Sequence, residues 1–154
     1  MVLDIQRALK NPGEKFGLFI NGRMESFEFA GDTYEFIVPL ELKGGYSCIA
    51  DTCIIKAMLR AEVGTLCARC LSKVEMQMDI LFSEEFVREA DSENPERRVY
   101  AGESIDLDSA IIENVILSLP IRVLCKQDCK GLCAKCGSNL NEGKCGCRKP
   151  HMAV

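Results

Sequence analysis

Two segments of the chain alternate apolar and polar residues with a period of two, which is the pattern of a half-buried β-strand. In the first segment, Glu35 and Glu41 lie opposite an apolar face. That face consists of Tyr34, Phe36, Val38, Leu40 and Leu42. The second apolar face consists of Val74, Met76, Met78, Ile80 and Phe82, and methionine at every second position of a strand is typical of core filling. Pro39 lies on the polar side of the first segment and predicts a free edge or a bulge there.

Between these two strands, residues 46–49 and 53–66 are rich in β-branched and other apolar side chains. Gly44-Gly45, Asp51 and Gly64 interrupt them. Such residues are favoured in turns, so we predict an antiparallel meander whose connections lie at these breaks.

Helical signals are confined to two places. Apolar residues within 3–10 allow a short helix that Asn11-Pro12-Gly13 would stop. Asp106 can cap a main helix that runs to about Ser118 and ends at Pro120, and its wide apolar face predicts burial against the sheet. The acidic stretch at about 84–104 predicts a mobile loop. The fold class is therefore α+β, with a mainly antiparallel β-sheet and one main helix.

The composition agrees with a globular chain, because 154 residues with 47% hydrophobic and 27% charged side chains can bury a core. The N-terminal residues have no apolar signal region, and the longest apolar-rich stretch, 110–119, contains Glu113 and Asn114. We therefore expect a cytoplasmic protein with no membrane partner. In a reducing compartment, ten cysteines indicate bound metal rather than disulfides.

Eight cysteines form two groups, one in Cys67-Ala68-Arg69-Cys70 and one spread over 125–147. Zn²⁺ binds four thiolates in a tetrahedron, and a Cys-x2-Cys turn supplies two of them with little strain. The last four cysteines are close enough in the sequence to form one compact site, and the remaining two pairs can form a second site that joins the β-region to the tail. This partition predicts two Zn²⁺ per chain. The compact site uses Cys133, Cys136, Cys145 and Cys147. The joining site uses Cys67, Cys70, Cys125 and Cys129, and it closes a loop of more than fifty residues.

This partition divides the chain into an α+β domain at 1–124 and a C-terminal cysteine-rich zinc knuckle at 125–154 that packs on it. One alternative is a single site made from Cys129, Cys133, Cys136 and one of Cys145 or Cys147. An iron–sulfur cluster would suit four thiolates equally well. A redox dithiol would need a βαβ unit, which the pattern does not contain. Cys48 and Cys53 flank a predicted turn, and we interpret them as small core residues.

No catalytic constellation is present in the sequence. The single histidine, His151, lies at the C-terminal end of the chain, so a nucleophilic Ser or Cys lacks a base. No glycine-rich phosphate loop follows a strand. Four-thiolate zinc sites are closed, whereas a catalytic zinc keeps a position for water. We therefore expect neither enzyme activity nor a small-molecule substrate.

Charge is divided unevenly along the chain. Residues 1–124 carry 13 Lys and Arg against 21 Asp and Glu, a net −8, whereas residues 125–154 carry 6 against 2, a net +4. A basic tail can contact nucleic acid, although a Zn²⁺ with four thiolates has a net formal charge of about −2 and offsets about half of the excess. The candidate contacts to RNA phosphates are Lys126, Lys130, Lys135, Lys144, Arg148 and Lys149.

A longer string within the tail resembles a family signature. The string 125–141, CKQDCKGLCAKCGSNLN, followed by Cys145-Gly146-Cys147, resembles the C-terminal signature of the bacterial YceD family, named for large ribosomal RNA subunit accumulation. Supporting pieces occur in the expected order at 67–71, 105–107 and 117–120. The resemblance implies a cytoplasmic, non-enzymatic factor for large-subunit assembly and 23S rRNA accumulation. Its partner would be pre-large-subunit rRNA or a ribosomal protein.

Two alternative functions follow from the residues themselves. The acidic 1–124 region could attract and hold a basic ribosomal protein, which would make the chain a protein-interaction module. Alternatively, exposed thiolates could make the chain a redox or metal sensor.

Overall fold

The computed structural model of the protein describes residues 1–88 and 97–147. Its elements are β1 (Val2–Asp4), α1 (Gln6–Lys10), β2 (Phe16–Gly22), β3 (Phe27–Phe29), β4 (Asp32–Phe36), β5 (Leu40–Ile49), β6 (Thr52–Leu66), β7 (Lys73–Val87), β8 (Arg98–Val99), β9 (Ser104–Asp106) and α2 (Asp108–Ser118). The predicted fold class is confirmed, since antiparallel strands dominate and helices are few. Within 1–88 and 97–147, no helix is long and apolar enough to cross a membrane.

Strand β6 is the centre of the sheet. It pairs with β7 along its whole length, from Thr52 opposite Val87 to Leu66 opposite Lys73. Both β5 and β4 also pair with β6, so they share its other edge, with β2 outside β5 and β3 outside β4. Most alternate residues of β6 are buried, and Ile55, Leu59 and Val63 are fully buried. The period of two therefore places one face of the sheet in the core.

The predicted irregularity at Pro39 is a bulge. Phe36 lies opposite Val63 and Glu41 lies opposite Arg60, so four residues of one chain segment face two of β6. The extra residues divide the predicted strand at 34–42 into β4 and β5. Pro39 lacks a backbone N–H and is therefore tolerated at such a break in the ladder.

Of the three predicted connections, only Asp51 lies in a turn. Gly44, Gly45 and Gly64 lie inside strands β5 and β6, so their assignment to turns was wrong. The physical reason is close approach of the backbones at Gly44. A Cβ added there would lie 2.2 Å from the Lys56 carbonyl oxygen and 2.4 Å from the Ala57 Cα. Glycine at this position lets the backbone of β6 approach closely, because glycine has no Cβ.

The N-cap of the main helix is Leu107, one residue later than predicted, and α2 begins at Asp108. Asp106 ends β9, and its carboxylate accepts a hydrogen bond from the Asp108 N–H at 3.0 Å, just before the first turn of α2. The helix buries Ala110, Ile111 and Val115 and packs along β7. The short helix predicted within 3–10 is confined to α1, because the residues before it form β1 and pair with β9.

The predicted acidic loop at 84–104 is wrong at both of its ends, and its middle, 89–96, lies outside the described residues. Strand β7 continues to Val87 because Phe82 and Phe86 maintain the period-two burial. Beyond the gap, Arg98 in β8 donates a hydrogen bond to Glu84 at 2.9 Å and another to Glu113. These ion pairs connect β7, β8 and α2.

Cys48 and Cys53 lie directly opposite each other across the β5–β6 hairpin, with Cα atoms 4.1 Å apart, and form a disulfide. Both side chains are buried, in agreement with the prediction of core residues. The expectation that the cysteines would avoid disulfides is wrong for this pair. The register of the hairpin places both sulfurs on the core face, and sequence spacing alone does not specify that register.

Candidate metal centres

The eight remaining cysteines form two groups in which all ligand atoms lie within 4.8 Å of one another. The joint cluster consists of Cys67, Cys70, Cys125 and Cys129, and the tail cluster consists of Cys133, Cys136, Cys145 and Cys147. This grouping matches the partition that the spacing favoured. The alternative single site is not formed, because Cys129 lies with Cys67 in the joint cluster, 3.8 Å between their Sγ atoms.

Each cluster is built on the same six-residue turn, 67–72 in one case and 133–138 in the other. The sequence is Cys-Ala-basic-Cys-x-Ser in both. In each turn the first cysteine N–H donates to the serine carbonyl at 2.8 Å, and the residue before the serine donates back to the first cysteine carbonyl, at 3.0 Å from Leu71 and 2.8 Å from Gly137. We call these two turns the first and second knuckle.

The serine of each knuckle also contacts a sulfur. The Ser72 hydroxyl lies 3.3 Å from Cys70 Sγ, and the Ser138 hydroxyl lies 3.2 Å from Cys136 Sγ. A hydroxyl that donates to a thiolate favours its ionised form. Sequence reasoning missed these serines, although the repeated Cys-x2-Cys-x-Ser spacing was a sufficient signal.

The joint cluster connects the sheet to the chain beyond α2. The first knuckle forms the β6–β7 connection and supplies Cys67 and Cys70. The segment after α2 supplies Cys125 and Cys129. Backbone hydrogen bonds fix this contact: Ala68 N–H donates to the Val123 carbonyl at 2.9 Å, and Leu132 N–H donates to the Arg69 carbonyl at 3.1 Å. Arg69 Nη1 in turn donates to the Cys129 carbonyl at 2.9 Å.

Burial differs between the clusters. Cys67, Cys70 and Cys129 are buried and form a small apolar cluster with Val74, Leu124 and Leu132 against them. In the tail cluster, Cys136 is exposed and the other three cysteines are half-buried. Three cysteines of the joint cluster are therefore part of the packed structure and Cys125 is exposed, whereas the tail cluster has no buried cysteine.

The knuckles lower the pKa of their four thiols, Cys67, Cys70, Cys133 and Cys136. Burial opposes ionisation of Cys67, but backbone N–H groups of Arg69, Cys125 and Cys70 donate to its sulfur and lower its pKa to about 6. The hydroxyl and backbone N–H of Ser138 lower the pKa of Cys136 to about 6 as well.

The thiols that complete each cluster show the opposite shift. A hydrogen bond with the Cys70 sulfur, together with burial, raises the pKa of Cys125 to about 12. The same causes, with Cys136 as the neighbour, raise the pKa of Cys147 to about 12. Neighbouring thiolates repel one another, so a cluster with no ion keeps protons at neutral pH. A divalent cation would displace those protons.

The dimensions of the joint cluster fit a single tetrahedral ion. Metal–sulfur bonds of about 2.3 Å give sulfur–sulfur edges of about 3.8 Å in a tetrahedron. Cys67 Sγ lies 3.8 Å from Cys129 Sγ, and Cys70 Sγ lies 3.5 Å from Cys125 Sγ. In a four-iron cluster each cysteine binds a different iron, which separates the sulfurs further. Four soft sulfur donors at these distances suit one ion per cluster.

Four of the candidate RNA contacts lie next to cluster cysteines in the sequence: Lys126 and Lys130 adjoin the joint cluster, and Lys135 and Lys144 adjoin the tail cluster. Lys126, Lys130, Lys135 and Lys144 are all exposed. Arg148 and Lys149 lie outside the described residues, as does His151.

The fold and the two clusters together define a small β-sheet protein with two linked cysteine knuckles. The sequence model of one family, described as large ribosomal RNA subunit accumulation protein YceD, matches residues 55–153. The chain therefore belongs to the YceD family, which confirms the resemblance of its tail. The matched range contains all eight cysteines of the two clusters.

Relatives of the chain occur in mycobacteria and in a plant. An uncharacterized protein of Mycobacterium tuberculosis (strain ATCC 25618 / H37Rv) is 28% identical over 148 residues, which cover 91% of this chain and 70% of that protein. An uncharacterized protein of Mycobacterium leprae (strain TN) is 28% identical over 112 residues, or 69% and 51% of the two chains.

The plant relative is the large ribosomal RNA subunit accumulation protein YCED homolog 1, chloroplastic, of Arabidopsis thaliana. It is 46% identical over 43 residues, which cover 28% of this chain and 13% of that protein. No solved structure matches the chain.

Proposed function

We propose that the chain is a zinc-binding factor that supports accumulation of large-subunit 23S rRNA during ribosome assembly. The observation that carries this proposal is the family match, because it covers residues 55–153 and so includes both clusters. The name of the Arabidopsis relative points to the same process. The rRNA or a ribosomal protein would be the direct partner.

Zinc is the ion that the donor set favours. It is stable with four thiolates, and such a closed site is structural because no position is left for water. Cys67, Cys70, Cys125 and Cys129 would hold one ion, and the tail cluster would hold the other. Elemental analysis of protein purified without chelator should give about two zinc per chain. Iron with visible absorbance, or no metal, would contradict the assignment.

A cellular experiment tests the assembly role. Deleting the encoding gene should lower the ratio of large-subunit to small-subunit rRNA, and the intact chain should restore it. A chain with Cys125→Ser and Cys147→Ser should not restore the ratio, because each change removes one sulfur from a cluster. Lys56→Gln, on an exposed position of β6, is the matched control. An unchanged rRNA ratio in the deletion strain would contradict the proposal.

Contact with rRNA would use the exposed tail lysines. Replacing Lys126, Lys130, Lys135 and Lys144 with Gln should weaken binding to large-subunit rRNA and flatten its salt dependence. The slope of log K against log salt falls by about 0.7–0.9 for each lysine that no longer neutralises a phosphate. Lys43, Lys56 and Lys73, which are exposed on the sheet, provide control substitutions that each remove the same charge. Equal binding by both sets of variants would exclude the tail as the RNA-binding surface.

A second candidate is a holder for a basic ribosomal protein. The observation that favours it is the net −8 of residues 1–124, which would attract a cationic partner. Reversing acidic charges within 84–104 should then abolish binding of the ribosomal protein, while the tail lysine substitutions leave it intact. If the tail lysine substitutions abolished binding and the charge reversals did not, direct RNA binding would be the favoured function.

A further inference from the structure

Asn141 belongs to the loop that closes the tail cluster, but its side chain reaches the joint cluster. The loop runs between Cys136 and Cys145. Asn141 Nδ2 donates to Cys129 Sγ at 3.3 Å, and Asn141 Oδ1 accepts from the Lys130 N–H at 2.9 Å. One amide therefore connects the loop of one cluster to a sulfur of the other.

The conformation of the same loop fixes this amide. Asn139 Oδ1 accepts from both the Asn141 backbone N–H at 3.0 Å and Asn141 Nδ2 at 2.8 Å. Asn139 Nδ2 donates to Glu142 Oε1 at 3.1 Å. The Leu140 N–H donates to the Gly131 carbonyl at 2.9 Å. This hydrogen bond holds the loop against residues 130–132, which connect Cys129 to Cys133. Asn141 can hold Cys129 only while this loop keeps its shape.

An ion in the tail cluster would give the loop that shape. With Cys133, Cys136, Cys145 and Cys147 on one ion, both ends of the loop are tied together, and binding energy offsets the entropy of ordering it. An N–H that donates to a metal-bound thiolate offsets part of its negative charge and fixes its orientation. Removing such a hydrogen-bond donor from a metal ligand typically weakens metal binding by about 10–100-fold.

We propose that Asn141 is a positioning residue that couples the two clusters, so that an ion in the tail cluster strengthens metal binding in the joint cluster through the Cys129 sulfur. The coupling is reciprocal, because an ion that fixes Cys129 also fixes the loop that Asn141 carries. This inference rests on the proposed metal binding at both clusters.

Cadmium-113 is a suitable probe, because each four-thiolate cluster gives its own NMR resonance. The resonance that remains in the full chain carrying Cys145→Ser and Cys147→Ser identifies the joint cluster. Titration with a chelator then reports how tightly each cluster retains its ion. The shift of a resonance reports hydrogen bonding to the thiolates of that cluster.

Two substitutions separate the N–H donor from general packing. Asn141→Ala removes the whole amide, whereas Asn141→Asp keeps an oxygen for the Lys130 N–H and removes the donor to Cys129. Both should move the joint-cluster resonance and weaken cadmium retention there by about ten-fold or more. Gly143→Ala is the matched control, because Gly143 is an exposed position of the same loop where an added Cβ meets nothing within 4 Å, and it should change neither quantity.

Non-additivity tests the coupling itself. Removing the tail cluster with Cys145→Ser and Cys147→Ser should weaken the joint cluster as much as Asn141→Ala does. Adding Asn141→Ala to that background should cost nothing more, because the hydrogen bond to Cys129 is already broken. An unshifted resonance with unchanged retention in Asn141→Ala and Asn141→Asp would overturn the proposal, and so would additive effects of the two changes. Absence of both resonances from the unsubstituted chain would instead overturn the proposed metal binding.

Discussion

At the scale of single residues, the two knuckles place different residue types at the same left-handed backbone position. Leu71 has φ +57° and Gly137 has φ +72°, so both adopt the left-handed conformation that the turn requires. A side chain there costs about 1–2 kcal/mol, whereas glycine adopts it freely. In the first knuckle Leu71 adopts this conformation despite its side chain, which is 59% exposed.

Exchanging the residue types should therefore have opposite effects on the two knuckles. Gly137→Leu should weaken metal retention in the tail cluster about five-fold, equivalent to about 1 kcal/mol of backbone strain. Space is not the cause, because a Cβ at Gly137 meets nothing within 4 Å. Leu71→Gly should leave retention in the joint cluster equal or slightly improved. Chelator competition measures both, and equal weakening in the two variants would refute the strain argument.

The thiol pKa values predict how metal binding responds to pH. Above pH about 6, Cys67 and Cys136 are already thiolates, but Cys125 and Cys147, with pKa values of about 12, must release protons to the solvent. Apparent affinity should therefore rise with pH from 6 to 9 and fall more steeply below 6, where Cys67 and Cys136 also take up protons. Chelator competition across this range and proton release in weak buffer test the sign. A pH-independent affinity would contradict it.

At the scale of elements, the period of two predicted the strands whose outer residues are polar. The alternation at 74–82 became β7, and that at 34–42 became β4 and β5 around the Pro39 bulge. Strand β2 was not predicted, because Gly17 and the exposed Phe19 remove the polar alternation. Periodicity is informative only where one face of a strand is polar.

Gly44 provides a test of strand packing. Gly44→Ala should destabilise the fold by about 1–3 kcal/mol or more, because the new Cβ would overlap the Lys56 carbonyl oxygen and the Ala57 Cα across the β5–β6 ladder. Gly17→Ala in β2 is the control, since its Cβ meets nothing within 4 Å. Denaturant unfolding measures both free energies. Equal stability of the two variants would show that close approach does not determine the residue at 44.

At the scale of the whole molecule, the joint cluster fastens residues 119–147 to one end of the sheet. The attachment uses the first knuckle, with backbone hydrogen bonds from Ala68 to Val123 and from Leu132 to Arg69. The joint-cluster cysteines lie outside the main core, in which Leu42, Ile55 and Leu59 are fully buried and which Val123 of the attached segment also joins. We therefore expect the attachment beyond Val123 to loosen without unfolding of the sheet.

Loss of the joint cluster should release the tail but leave the sheet folded. In Cys125→Ser, hydrogen exchange at the Ala68 and Leu132 amides should accelerate, while Leu59 stays protected. Cys136→Ser, which affects only the tail cluster directly, should leave the Ala68 amide protected. Exchange measured by mass spectrometry distinguishes these outcomes. Simultaneous loss of protection at Leu59 would mean that the cluster is required for the whole fold.

Local patterns in the sequence were enough to predict the strand-rich architecture and the family and to favour one grouping of the eight cysteines over a single site, because alternation and Cys-x2-Cys spacing are local properties of the chain. The role of those cysteines as metal ligands stays a prediction. Three features became visible only in the folded chain: Cys48 faces Cys53, β4 and β5 share one edge of β6, and Asn141 contacts Cys129. These features depend on register and on contacts between distant segments, which folding sets through packing of the complete core.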